Sequence, residues 1–193
     1  MTGQIYPAFS SSLSRRGLVR SAGRITLSAA AIALLAGCES MAMTESGGAK
    51  SSDLDILNAA LAAENQAMAA YQLALDSRLL APGFRSVAQN FQADHGEHAR
   101  ALRDTIGRLG GTPAPAKSAY DFPVNNLKTQ TDVLRFAADL ERGAVAAYLA
   151  AVPKFQNRDI AGAAASILGA ESQHLAVLRG ALGENPVPSA FVS

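Results

Sequence analysis

Only three histidines occur in this chain of 193 residues, and all three fall in two short segments. The first segment is Asp94-His95-Gly96-Glu97-His98 and the second is Glu171-Ser172-Gln173-His174. In each, two potential metal ligands stand three residues apart, which on a helix puts them on one face, a turn from each other. Carboxylate and imidazole donors without thiolate suit iron or manganese, and zinc fits as well.

An internal repeat connects the two segments. When His98 is laid over His174, an offset of 76, His98-Ala99-Arg100-Ala101-Leu102-Arg103 covers His174-Leu175-Ala176-Val177-Leu178-Arg179. Gly107 then covers Gly183, and His95 covers Glu171. Upstream, Glu64 and Tyr71 are seven apart, as are Glu141 and Tyr148, at an offset of 77. Each half reads as one helix with Glu-x6-Tyr and a second with a ligand-x-x-His pair. Two such helical hairpins describe a bundle built by duplication.

Four helices have to position these groups. Ser52-Asp53-Leu54-Asp55 has capping-box spacing and is expected to open the first, whose stripe is Leu57, Leu61, Glu64, Met68, Tyr71 and Leu75. The second is expected from about Arg85 to Leu109, with Ala88, Phe91, His95, His98, Leu102 and Leu109 on its stripe and Gly110-Gly111 as its stop. Glu97 is read as facing solvent. Residues 110–130 form a long connection, in which Tyr120-Asp121-Phe122-Pro123 is expected to pack onto the bundle. Thr131 is the expected N-cap of the third helix (Leu134, Ala137, Glu141, Ala144, Tyr148, Ala151), which ends or kinks at Pro153. Asp159 is the expected cap of the fourth (Ile160, Ala164, Ile167, Glu171, His174, Leu178), closed by Gly183 and Pro186.

Every stripe thus carries an ionisable group where a core should be. Glu64, Glu141, Glu171, His95, His98 and His174 would face one another inside the bundle. An unpaired buried charge costs several kcal/mol, against a net domain stability of only about 5–15 kcal/mol. The carboxylates must therefore protonate, pair with imidazolium, or be neutralised by a metal. The bland alternative for each histidine alone is a hydrogen-bonded core residue. For Tyr71 and Tyr148 the choice lies between supporting the ligands and being core residues with a satisfied hydroxyl.

The order Glu, ligand-x-x-His, Glu, Glu-x-x-His over four helices resembles the ferritin-like di-metal carboxylate superfamily, and in particular its bacterial exported members, over residues 53–183. The resemblance implies an all-α fold, an antiparallel four-helix bundle in which two helical hairpins are joined by a long crossover. It implies a metal centre of one or two ions with Glu64, His98, Glu141, Glu171 and His174 as ligands, and His95 is expected to complete the set as a sixth. It also implies a glutamate at position 95, where this chain has His95. Four carboxylates balance two divalent ions, whereas three leave an excess positive charge. A bridging hydroxide or a single bound ion would resolve that excess, as would Asp94, expected to support the ligands from behind, rotating in as a substitute ligand.

Composition narrows the partners. Before Cys38 stand four arginines and no acidic residue, while the rest of the chain carries 13 Lys and Arg against 16 Asp and Glu. The positive charge therefore belongs to the leader, and no nucleic-acid partner is expected. Ser14-Arg15-Arg16-Gly17-Leu18-Val19-Arg20 resembles a twin-arginine export signal, and Leu35-Ala36-Gly37-Cys38 resembles a lipobox. The apolar run between them, Ile25 to Ala36, falls well short of the ~20 residues that span a bilayer, although an uncleaved membrane helix is the alternative. The expectation is a signal peptide at 1–37, a flexible tether at 38–52, the bundle at 53–186 and a tail at 187–193. Lipid on Cys38 would anchor the protein to a membrane on the periplasmic side. The expected function is redox chemistry at the metal centre, by iron oxidation or peroxide handling, in an envelope under oxidative stress. The alternatives are metal sequestration without turnover, and a non-catalytic envelope module that kept the bundle but not the metal.

Overall fold

The computed structural model describes residues 47–192. The expected leader, Cys38 and the tether up to residue 46 lie outside the described residues. Among the described residues there are four α-helices and no strand: α1 (Gly47–Asp76), α2 (Pro82–Arg108), α3 (Gln130–Ala151) and α4 (Arg158–Ala181). Two short 3-10 turns, Val124–Asn126 and Val152–Lys154, interrupt the connections.

The helices pair as two hairpins, α1 on α2 and α3 on α4, with α1 also against α3. Cross-contacts set the directions. Glu64 meets Tyr148 while Tyr71 meets Glu141, so α1 and α3 are antiparallel. His98 meets Glu171 while Asp94 meets His174, so α2 and α4 are antiparallel as well. With α1 antiparallel to α2, the helices α2 and α3 run the same way. The connection from 109 to 129 must therefore travel the length of the bundle, which is why it is long. Phe122 holds it there, stacked on Tyr120 and edge-on to Phe136 of α3 at 5.6 Å.

Several local expectations shift. Helix α1 begins at Gly47, so residues 47–52 of the expected tether are helical. Asp53 does not open its own helix: buried, it accepts the backbone N–H groups of Gln156 and Asn157 at 2.8 and 3.0 Å, pinning the α3–α4 link. Helix α2 begins at Pro82, whose missing N–H costs nothing in a first turn. Thr129, not Thr131, caps α3, because Thr129 and Asp132 exchange side-chain and backbone bonds in a capping box. Asn157, not Asp159, caps α4 by accepting from the N–H groups of Asp159 and Ile160.

The repeat also needs one change at its C-terminal caps. Gly110 and Gly183 both have φ of 75°, and the next N–H reaches back to Ile106 and Arg179 respectively. The structural counterpart of Gly183 is thus Gly110 rather than Gly107, and α2 is longer than α4 beyond its histidine. The expected stripes are buried apart from Met68, His98, Leu109 and Ala144, which are half-buried, with Val145 filling the core beside Ala144.

Candidate metal centre

Because the ionisable residues sit mid-helix on core-facing stripes, the packing of four helices collects them at one level. Glu64 (α1), His95 (α2), Glu141 (α3), Glu171 and His174 (α4) are all buried, and His98 is 15% exposed. Their ligand atoms form two groups, Glu64–His95–His98–Glu171 and His95–Glu141–Glu171–His174, each with its donors within 4.8 Å of one another. His95 and Glu171, the pair that the repeat superimposes, belong to both groups.

His95 lies between the two groups. Its Nδ1 is 2.7 Å from Glu64 Oε2 and 3.7 Å from Glu171 Oε1, while its Nε2 is 3.4 Å from Glu141 Oε1. His98 Nδ1 stands 3.0 Å from Glu171 Oε1 and 3.7 Å from Glu64 Oε2. His174 Nδ1 is 3.6 Å from both Glu141 Oε1 and Glu171 Oε2.

Around this core stand the supporting residues. Tyr71 donates its hydroxyl to Glu141, and Tyr148 donates to Glu64 Oε1 at 2.6 Å. Each tyrosine serves the carboxylate of the other repeat. Asp94 is half-exposed and 3.1 Å from His174 Nε2, the ring nitrogen facing away from the ligand groups. It joins neither group, so it stands behind a ligand rather than substituting for one. Four residues before His98, it is drawn across to α4 instead. Glu97 is exposed and pairs with Arg100, as expected of a solvent-facing residue. Phe91, read from the sequence as a core residue only, stacks on the His174 ring at 3.9 Å between centroids. An aromatic one turn before a ligand on the same stripe was the available signal.

The electrostatics are those of three carboxylates facing three imidazoles. Burial disfavours the charged form of His95, but Glu141 and Glu64 outweigh it and raise the pKa from 6.5 to about 10. His174 is likewise raised to about 10, burial being overcome by Glu141 and Glu171. His98 rises to about 9, its burial offset by Glu171 and Glu64. Conversely, burial would raise Glu64 and Glu141, yet the facing histidines hold Glu64 below its usual value and Glu141 far below. Burial, followed by the carboxylate each one contacts, pushes both tyrosine hydroxyls well above 10.

Charge alone is therefore balanced by imidazolium. Hydrogen bonding is not. His98 Nδ1, His174 Nδ1, Glu141 Oε2 and both oxygens of Glu171 are buried without a hydrogen-bond partner, the 3.0 Å approach of His98 to Glu171 being misaligned for one. Buried polar atoms are nearly always paired. Here five of them converge, each on a residue with a free lone pair once neutral or ionised, and that donor set fits divalent metal. A neutral imidazole offers one lone pair, so His95 can serve only one of the two positions at a time.

The comparisons agree with this architecture. Residues 52–184 match the model of the ferritin-like domain family. Among solved structures, a conserved hypothetical protein from Mycobacterium tuberculosis is 23% identical, with a TM-score of 0.64 over 73% of this chain and 97% of its own. A protein from Bacillus anthracis, described as ferritin-like and diiron-carboxylate, is 18% identical, with a TM-score of 0.61 over 72% of this chain and 99% of its own. No curated protein matches the sequence. At these identities the solved structures speak for the fold. The family match extends from the first turns of α1 past the end of α4 and takes in all six facing carboxylates and imidazoles, so the chain belongs to the ferritin-like domain family.

Proposed function

We propose that this is a metal-binding ferritin-like protein of the cell envelope whose centre carries out redox chemistry with iron or manganese. The observation that carries the reading is the convergence of five buried donor atoms that no hydrogen bond satisfies. The description of the Bacillus anthracis structure as a diiron-carboxylate protein supports it.

In this reading Glu64, His98 and Glu171 would hold one ion and Glu141, Glu171 and His174 the other, with His95 placed to complete either. Two ferrous ions held there would supply the two electrons that, with two protons, reduce one dioxygen to hydrogen peroxide. The chain's own residues orient the donors. Tyr148 holds Glu64 by its Oε1 while Oε2 faces His95, and Tyr71 holds Glu141 by its Oε1 while Oε2 has no hydrogen-bond partner. Asp94 accepts the Nε2 proton of neutral His174, which turns the Nδ1 lone pair toward the carboxylates. Phe91 covers that ring and keeps water from it.

The test is the metal content of the full chain produced under iron- and manganese-replete conditions, measured by elemental analysis. A metal-free product whose melting temperature ignores both added metal and chelator would rule out redox work and sequestration together. If metal is bound, consumption of dioxygen or peroxide separates the two. One observation favours the second reading, a bundle held by Glu–His ion pairs: the histidines balance the carboxylate charge unaided.

The envelope location is part of the proposal and rests on the leader residues. No helix among the described residues is long and apolar enough to cross a membrane. Lipid on Cys38, at the end of the lipobox-like Leu35-Ala36-Gly37-Cys38, would supply the attachment, and Cys38→Ser should move the protein from the membrane to the soluble fraction.

A further inference from the structure

One turn away from the ligands the helices leave an apolar cavity that opens to the surface. Ala137 precedes Glu141 by four residues and Leu178 follows His174 by four. Both face a cavity of about 190 Å³ that Ala74, Ala88, Leu134 and Tyr71 also line. Four of its wall positions are alanine (74, 88, 137 and 181), so the helices approach without side chains long enough to fill the space between them. Interiors are otherwise close-packed, with few voids larger than a water molecule.

The lining decides what such a space can hold. Every wall residue is apolar except Tyr71, and the Tyr71 hydroxyl is already given to Glu141. A buried water needs two to four polar partners, which these walls do not offer. A dry engineered cavity of roughly 150 Å³ takes up benzene or xenon, so this one is of a size for small apolar guests. Val177, 48% exposed, together with the partly buried Phe84 and Val87, marks where it opens between α2 and α4.

Its position gives the cavity a use. Tyr71 is at once a wall of the cavity and the hydrogen-bond donor to Glu141, and Phe91, edge-on to Tyr71 at 6.0 Å, stacks on His174. Tyr71 is therefore the wall residue that also touches a ligand, and the apolar space ends against its ring. We propose that this cavity binds small apolar molecules and is the route by which dioxygen reaches the ligand groups. Dioxygen is apolar and partitions from water into such a space. Hydrogen peroxide is polar and would arrive instead on the wetter side, past Asp94 and His98. Delivery rests on the redox reading of the metal centre, whereas occupancy by an apolar gas does not.

Xenon separates the two. Crystals of the full wild-type chain under xenon pressure should show a xenon atom bounded by Ala137 and Leu178. Ala137→Leu should remove it, and so should Ala181→Phe at the rim, a change that spares the buried core should Ala137→Leu fail to fold. In iron-loaded protein both variants should oxidise ferrous iron with dioxygen roughly tenfold more slowly, with the peroxide-driven rate unchanged. An empty wild-type cavity would overturn the binding site. Variants that lose xenon yet keep the wild-type dioxygen rate would overturn delivery. A chain that takes up no iron refutes the redox reading, and delivery with it, while xenon occupancy still decides the site.

Discussion

Tyr148 of the second hairpin donates its hydroxyl to Glu64 of the first at 2.6 Å, and Tyr71 of the first returns the same bond to Glu141 of the second. The duplicated halves are thus interlocked at the level of the ligands, each half holding one carboxylate of the other in place. Removing one hydroxyl leaves a buried carboxylate oxygen without its donor, at a cost of about 1–3 kcal/mol. Tyr148→Phe should therefore lower the melting temperature of the metal-free chain and weaken metal binding in titrations. A variant that melts and binds as the wild type does would show that Glu64 does not depend on this bond.

His95→Glu should act with opposite signs in the two states. In the metal-free chain it replaces a positive partner by a fourth carboxylate, so stability falls by about 3–5 kcal/mol, as for a broken buried pair. With metal present, four carboxylates balance two divalent ions, and elemental analysis should show higher occupancy of the second position. Unchanged occupancy would show that the charge at position 95 does not limit metal loading.

The metal-free chain should be most stable in mildly acidic solution. His95 and His174 have pKa values near 10 and His98 near 9 in the fold, against 6.5 ordinarily. A group raised in this way contributes fully below 6.5, and its contribution is lost as pH climbs through 9 to 10. Glu64 and Glu141, held below 4.5, contribute above that value and fail as pH drops through their lowered range. Denaturant unfolding of the metal-free chain at pH 5.5, 7.5 and 9.5 should give steadily falling stability. A flat or rising series would show that the imidazoles are not paired as ions.

Asp94→Asn should separate support of a ligand from support of the fold. Asp94 is exposed, so its change should shift the melting temperature of the metal-free chain little. It nevertheless orients His174, and carboxylates in that position typically contribute about 10–100-fold to metal affinity. Isothermal titration of wild type and variant checks this, and equal affinities would reduce the Asp94–His174 contact to a surface pair.

Asp53→Ala should do the reverse. It frees the backbone N–H groups of Gln156 and Asn157 at the far end of the bundle, costing about 1–3 kcal/mol in denaturant unfolding. Metal stoichiometry should stay as it was. A variant as stable as the wild type would mean that water replaces the carboxylate there.

The sequence by itself determined the helices and the membership of the ligand set. Helical periodicity is a local property: a four-three spacing of apolar residues places Glu64, Glu141, Glu171 and the histidines on buried faces whatever the neighbours are. The repeat then told which residues are counterparts. The caps were less legible, since Thr129 and Thr131, or Asn157 and Asp159, offer similar side chains two residues apart, and only the backbone turn selects between them. Tertiary structure alone decided who meets whom. Asp53 reaching the α3–α4 link, Asp94 turning to His174, the two His95 ring nitrogens meeting different carboxylates and the void beside Tyr71 all depend on the relative register of different helices. That register is set by side-chain packing between segments far apart in the chain, and no pattern within a single segment encodes it.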